Sequence, residues 1–183
     1  MPTFEAVYGW RVPEDTDPAK NGAGDMRALA SDISGTLRSP AWCRAWSAAD
    51  QTLGADGWSQ VVLGNETDPG DIFAASAVTL PYAGVVGVGW GATVGLSGAA
   101  PTTVNIASAL YVDGAEYQRG SSFASSSAPS LQQFGTAGST LVDAVAGRVL
   151  TLMVFVAVPG TTKKVLAAGT HLEARYFAPR PKP

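Results

Sequence analysis

From residue 58 onward, apolar and polar residues alternate with a period of two in short runs, each closed by turn formers. Such alternation places successive side chains on opposite faces of a strand. The runs predict strands at 59–63, 72–80, 84–94, 104–112, 116–121, 139–145, 148–157 and 171–177. Between them stand the turn signals Asp68-Pro69-Gly70, Pro81-Tyr82-Ala83-Gly84, Ser97-Gly98-Ala99-Ala100-Pro101, Asp113-Gly114, Ala146-Gly147 and Pro159-Gly160. Asp113-Gly114 is the strongest of these, because a type I′ hairpin turn needs positive φ at both central residues. About eight short strands at this spacing predict a mainly β chain, an antiparallel jelly-roll sandwich. The serine-rich residues 121–130 read as an exposed loop.

The pattern before residue 57 differs. Residues 3–12 form an extended aromatic stretch containing Phe4, Tyr8 and Trp10. A Pro- and Asp-rich turn follows, in which Asp17-Pro18 suits a helix N-cap and first position. Met26, Leu29, Ile33 and Leu37 recur every three or four residues and predict a helix from residue 24 or 25 to 37, ended by Ser39-Pro40. A helix of about four turns is marginal alone in water. Its apolar stripe therefore packs on its own domain, on its copies, or on a larger assembly. Trp42, Trp46 and Trp58 sit in polar, alanine-rich surroundings and read as caps on the end of the sandwich or as part of an interface. The expected division is an attachment segment with its helix at 1–56 and a β domain at 57–183.

Charge sharpens that division. Of 27 charged residues, 13 precede Gly57, and none lies within 72–112. Hydrophobic residues make up 46% of the chain, enough to offset the entropy of ordering. The net charge of −3 argues against general nucleic-acid binding, which needs a basic face. The lone cysteine, Cys43, rules out an intrachain disulfide framework and any multi-cysteine zinc site. The N-terminus has no basic start and no apolar core, so no signal peptide is expected. The longest apolar stretch, 82–92, is roughly half the ~20 residues of a membrane helix and is interrupted by glycines. These features predict a soluble protein made in a cytoplasm, with no membrane insertion.

Candidate chemistry is sparse. The single histidine, His171, falls in a predicted strand, and no Gly-x-Ser-x-Gly elbow accompanies it. Cys43 has no histidine near it in sequence. Asp15/Asp17 and Asp68/Asp71 are carboxylate pairs in turns and lack the ligand spacing of a calcium loop. No pair of carboxylates marks a glycosidase cleft. Gly84, Gly87, Gly89 and Gly91 superficially resemble a phosphate loop, but no helical pattern follows. They read instead as a strand with a glycine face, open to close approach by another backbone or an aromatic ring. A non-enzymatic protein without cofactor or metal is expected. Trp90, Tyr111 and Tyr117 are the aromatic residues available to a ligand pocket, should the chain be a stand-alone carbohydrate- or small-ligand-binding module.

Two stretches resemble known proteins. Val78-Thr79-Leu80-Pro81-Tyr82-Ala83-Gly84, Ala109-Leu110-Tyr111-Val112-Asp113-Gly114, the run 141–150 and the closing strand 169–177 occur in that order. Together they resemble the trimeric jelly roll of the tumour-necrosis-factor superfamily and the globular heads of complement subcomponent q. The sequence departs from that pattern at Val85-Val86, where aromatics are usual. The second stretch begins Tyr8-Gly9-Trp10-Arg11-Val12-Pro13 and continues through Asp17-Pro18 and Gly24-Asp25-Met26 to Ala30. It resembles the N-terminal segments of tail-fibre, minor tail and other virion surface proteins of actinobacteriophages. The resemblances imply a homotrimeric phage appendage located on the virion. Its N-terminus, through Phe4, Tyr8, Trp10, Pro18, Met26, Leu29, Ile33 and Leu37, would dock on other capsid or tail proteins. Its jelly-roll head would project outward, with a host cell-surface glycan as a conceivable target.

Overall fold

The computed structural model describes residues 3–4, 11–12, 24, 26–30, 42–69, 71–98, 103–125 and 131–179. Its strands are β1 (Thr3–Phe4), β2 (Arg11–Val12), β3 (Trp42–Trp46), β4 (Gln51–Leu53), β5 (Gly57–Gln60), β6 (Asn65–Thr67), β7 (Phe73–Ala74) and β8 (Ala77–Thr79), then β9 (Gly84–Gly98), β10 (Val104–Val112), β11 (Ala115–Ser125), β12 (Leu131–Ala144), β13 (Val149–Ala157) and β14 (Thr161–Pro179). Two six-stranded antiparallel sheets face each other as a jelly-roll sandwich. The first sheet runs β12-β9-β14-β3-β6, with β4 also on β14. The second runs β11-β10-β13-β8-β7, with β5 also on β13.

Alternation explains the core. Along β9, Val86, Val88, Trp90, Ala92, Val94 and Leu96 point inward and are buried. Along β13, Leu150, Leu152, Val154 and Val156 do the same from the facing sheet. Each such side chain taken out of water contributes ~1.5–3 kcal/mol. The uncharged residues 72–112 include β9 and β10, and both are central strands.

Two glycines and a serine fit the largest core side chain, Trp90. Its Nε1 donates to the buried Ser108 Oγ at 3.2 Å. Its ring lies against Gly138, where a Cβ would come within 2.6 Å of Trp90 Cε2 and 2.9 Å of Gly120 Cα. The β11 edge and the β12 edge thus close on each other around Trp90. The Ser121 hydroxyl accepts from Ala137 N–H at 2.8 Å across the same seam. Farther along, the Phe123 and Phe134 rings bridge it, with centroids 4.5 Å apart.

Several boundaries differ from the sequence reading. The 72–80 run is a tight hairpin, β7 to β8, because Ala75 and Ser76 both adopt positive φ (50° and 64°). No Gly or Asn announced that turn. Residues 121–125, expected in a loop, continue β11 opposite β10. The strands at 84–94 and 171–177 are parts of the longer β9 and β14, and 139–145 falls in the longer β12 except for Val145. The 59–63 strand is the shorter β5, which starts at Gly57 and ends at Gln60, leaving 61–63 outside any strand. The sandwich also takes in residues ahead of Gly57. β3 pairs with β14 and buries Cys43 and Ala45 completely, with Trp42 and Trp46 half-buried on the other face. The ends of 3–12, expected as one extended stretch, pair antiparallel with each other, Thr3 with Val12 and Phe4 with Arg11. The Asp113-Gly114 hairpin forms as expected, with φ of 52° and 80°.

Gly138→Ala should lower stability by roughly 1–3 kcal/mol, since the added methyl overpacks against Trp90 and backbone. Gly135→Ala, on the same strand with open space at its Cβ, should change it by less than about 1 kcal/mol. Urea unfolding midpoints of the two variants check this. Equal midpoints would show that the Trp90 seam is loosely packed.

Candidate functional site

The outer face of β9 bears Gly87, Gly89, Gly91 and Gly95 at every second position but one. Register places Leu141 and Arg175 on either side of Gly87, Ser139 and Glu173 beside Gly89, and Ala137 and His171 beside Gly91. With no Cβ in the way, side chains of β14 lean across. The Phe177 ring lies over Gly87, with Cζ 2.9 Å from where a Cβ would sit. His171 lies over Gly91 at 2.8 Å, and Leu166 over Gly95 at 3.0 Å. Gly89 alone stays uncovered, with nothing within 4 Å of its Cβ position. The result is an open groove of about 550 Å³ with Gly89 at its floor. Leu141, Ser139, Phe177, Glu173 and Arg175 line it.

The groove continues an apolar edge. Among the described residues of the sandwich, six large hydrophobic side chains are exposed, and five of them (Tyr117, Phe123, Leu141, Val145 and Phe177) lie along β11, along or just after β12, or at the end of β14. Leu141 is 60% and Phe177 67% exposed. Only Val62 lies elsewhere. The Tyr117 hydroxyl donates to the Leu141 carbonyl at 3.1 Å, which ties the edge of one sheet to the rim of the groove on the other. Exposed apolar side chains brought together as Tyr117, Leu141 and Phe177 are mark an interaction surface.

The outer face of the second sheet satisfies itself. Trp58 packs on Tyr111 and Phe155, with centroids at 5.8 and 5.4 Å, and the Arg119 guanidinium lies 5.4 Å from its ring. Glu116 holds that guanidinium through two hydrogen bonds of 2.9 and 3.1 Å.

The three aromatic residues named from sequence are not brought together. Trp90 lies between the sheets, Tyr111 belongs to the Trp58 cluster, and Tyr117 stands at the edge. Trp90, 1% exposed, is unavailable to a ligand. Phe4 lies in β1, and Met26 and Leu29 in a helical segment where Met26 is 59% exposed. Tyr8, Trp10, Pro18, Ile33 and Leu37 lie outside the described residues. Cys43 and His171 sit on opposite faces of the first sheet, so no Cys–His pair forms. Burial pushes the Cys43 thiol up to about 12, leaving it protonated and unreactive. Asp68 does turn work: its carboxylate accepts from Phe73 N–H at 2.6 Å. Among the described residues, no group of three or more His, Cys, Asp or Glu could hold a metal ion. No described helix is long and apolar enough to cross a membrane.

The architecture is an antiparallel jelly roll, and solved structures resemble it in fold. Murine APRIL at pH 8.0 matches over 75% of this chain and 98% of its own, with 12% identity and a TM-score of 0.50. The globular domain of zebrafish complement 1qA covers 77% of this chain and 99% of its own at 13% identity, TM-score 0.47. The Eiger TNF of S. frugiperda covers 79% and 97% at 12% identity, TM-score 0.48. These likenesses concern the fold. No protein-family model and no curated protein sequence matches the chain.

One buried charge lies away from the groove. Lys163, 7% exposed, is ion-paired with Asp56, whose carboxylate also accepts from Val158 N–H. The Lys163 hydrogen bond is the main reason the Asp56 carboxyl sits below its ordinary value. A carboxyl with a depressed folded pKa contributes stability above its unfolded pKa and loses it as pH falls through the folded one. Thermal midpoints should therefore fall as pH drops below the ordinary carboxylate range, and Asp56→Asn should flatten part of that fall while lowering the midpoint at neutral pH. Identical pH profiles for the variant and the parent would show that this pair contributes nothing.

Proposed function

We propose that this chain is a non-enzymatic structural protein of a bacteriophage virion. In this reading it is a homotrimeric surface appendage, made in the host cytoplasm and carried on the particle as a tail-fibre, minor tail or capsid-decoration component. The N-terminal segment docks on other virion proteins, and the jelly-roll head is displayed outward, where it is placed to meet a host cell-surface glycan. The observation that carries the self-association is the exposed apolar edge running through Tyr117 and Leu141 into the Phe177 groove. A second copy covers such a patch at no cost in specificity, because every copy presents both the edge and the groove. Virion placement rests on the N-terminal likeness that runs from Tyr8 to Ala30. The exposed Met26 and the stripe it begins gain partners where three chains converge. Three heads on one stem add avidity without new contacts. The alternative, a stand-alone ligand-binding module, loses Trp90 to the core.

Light scattering on the full-length protein should give three times the 18.7 kDa chain mass. Leu141→Asp and Phe177→Asp should each shift it toward one chain mass without unfolding it, since both side chains are exposed. A truncation at Gly57 is a poor comparison, because it removes β3 and β4 from β14. Peptides of this chain should appear in purified phage particles. A monomer at every concentration would sink the trimer, and absence from particles would sink the virion role.

A further inference from the structure

Resting on the self-association proposed above, we infer that Glu173 and Arg175 pair between copies, the Glu173 of one with the Arg175 of the next, and that this pairing fixes how the copies align. The two residues alternate along β14, so both point to the outer face of the first sheet. Register sets Glu173 beside Gly89 and Arg175 beside Gly87, at the floor of the groove and under Phe177. Both are exposed and both line the groove. Among the described residues, neither has a hydrogen-bond or ion-pair partner. Arg44 stands directly across from Glu173 on β3, yet it forms no ion pair with it and lies outside the groove.

This arrangement conflicts with itself in a lone chain. Leu141 and Phe177 call for the groove to be covered, but covering it buries two charges, which is costly unless each finds a partner. A partner with one charge or none would leave at least one of them unmatched. A second copy brings the same two charges with opposite signs adjacent. In a closed cyclic contact each Glu173 meets an Arg175, giving a ring of alternating sign with no net charge. The apolar rims then supply the area and the charges supply the alignment, since a shifted docking sets like charges together.

Sedimentation equilibrium and light scattering on full-length variants test this. Glu173→Arg and Arg175→Glu should each weaken assembly ~10-fold or more, and the double variant Glu173→Arg/Arg175→Glu should return to within ~3-fold of the parent. Unchanged circular dichroism would confirm that the variants fold. If the parent assembles and the single reversals leave it untouched, or the double variant is as weak as the two singles combined, the pairing is overturned while the self-association stands. If the parent never assembles, the self-association fails and this pairing with it.

Discussion

Four of the outward positions on β9 carry no side chain, and that absence governs what its neighbours do. A strand in the middle of a sheet ordinarily holds the side chains of flanking strands at arm's length. Here Phe177, His171 and Leu166 fold over the bare backbone at Gly87, Gly91 and Gly95. The same bareness on β12, at Gly138, lets the Trp90 ring fill the space between the sheets at the seam with β11. One property of the sequence, glycine at alternate strand positions, thus makes a dense interior on one side of the sheet and a shallow trough on the other.

The two outer faces meet solvent differently as a result. On the second sheet, large aromatic groups stack on one another, and an arginine anchored by Glu116 covers Trp58. That face needs no partner to be stable. The first sheet presents Leu141 and Phe177 with glycine between them and two charges at their feet, so its polar and apolar groups are both left incomplete. The contrast is what the proposed self-association rests on.

Much of this was legible in the residues. Period-two alternation set the inward residues of β9, β10 and β13. Asp113-Gly114 set one hairpin, and the alternation of Gly87, Gly89 and Gly91 foretold a strand that aromatic rings could approach. What stayed hidden depends on contacts distant in sequence. The β7–β8 turn uses Ala75 and Ser76 in a backbone conformation that neither residue favours, so tertiary packing imposes it. β3 was obscured because Trp42, Arg44 and Trp46 look like a polar, mixed segment until β14 supplies the inner partner for Cys43 and Ala45. The groove was unreadable for the same reason. Alternation shows that Leu141, Glu173, Arg175 and Phe177 share outward faces, but only the β12-β9-β14 register makes them neighbours. Trp90 was misjudged as a ligand residue because an aromatic on a glycine-rich strand reads equally well as displayed or enclosed.

The pairing of β3 with the last strand also gives the head a polarity. Trp42, where β3 begins, lies opposite Arg175, and Pro179, where β14 ends, lies opposite Gly84. The chain therefore enters and leaves the sandwich at one pole. The two-residue hairpin at Asp113-Gly114 and the Gly147 turn are at this pole too, since Val112 pairs with Leu150 and Gly147 N–H reaches the Leu80 carbonyl. The connections 99–103 and 126–130 depart from the opposite pole, where Leu131 stands across from Ser97. A cargo joined directly ahead of Trp42 or directly after Pro179 would consequently sit at the first pole, and sequence inserted after Gly98 or before Leu131 would start from the other.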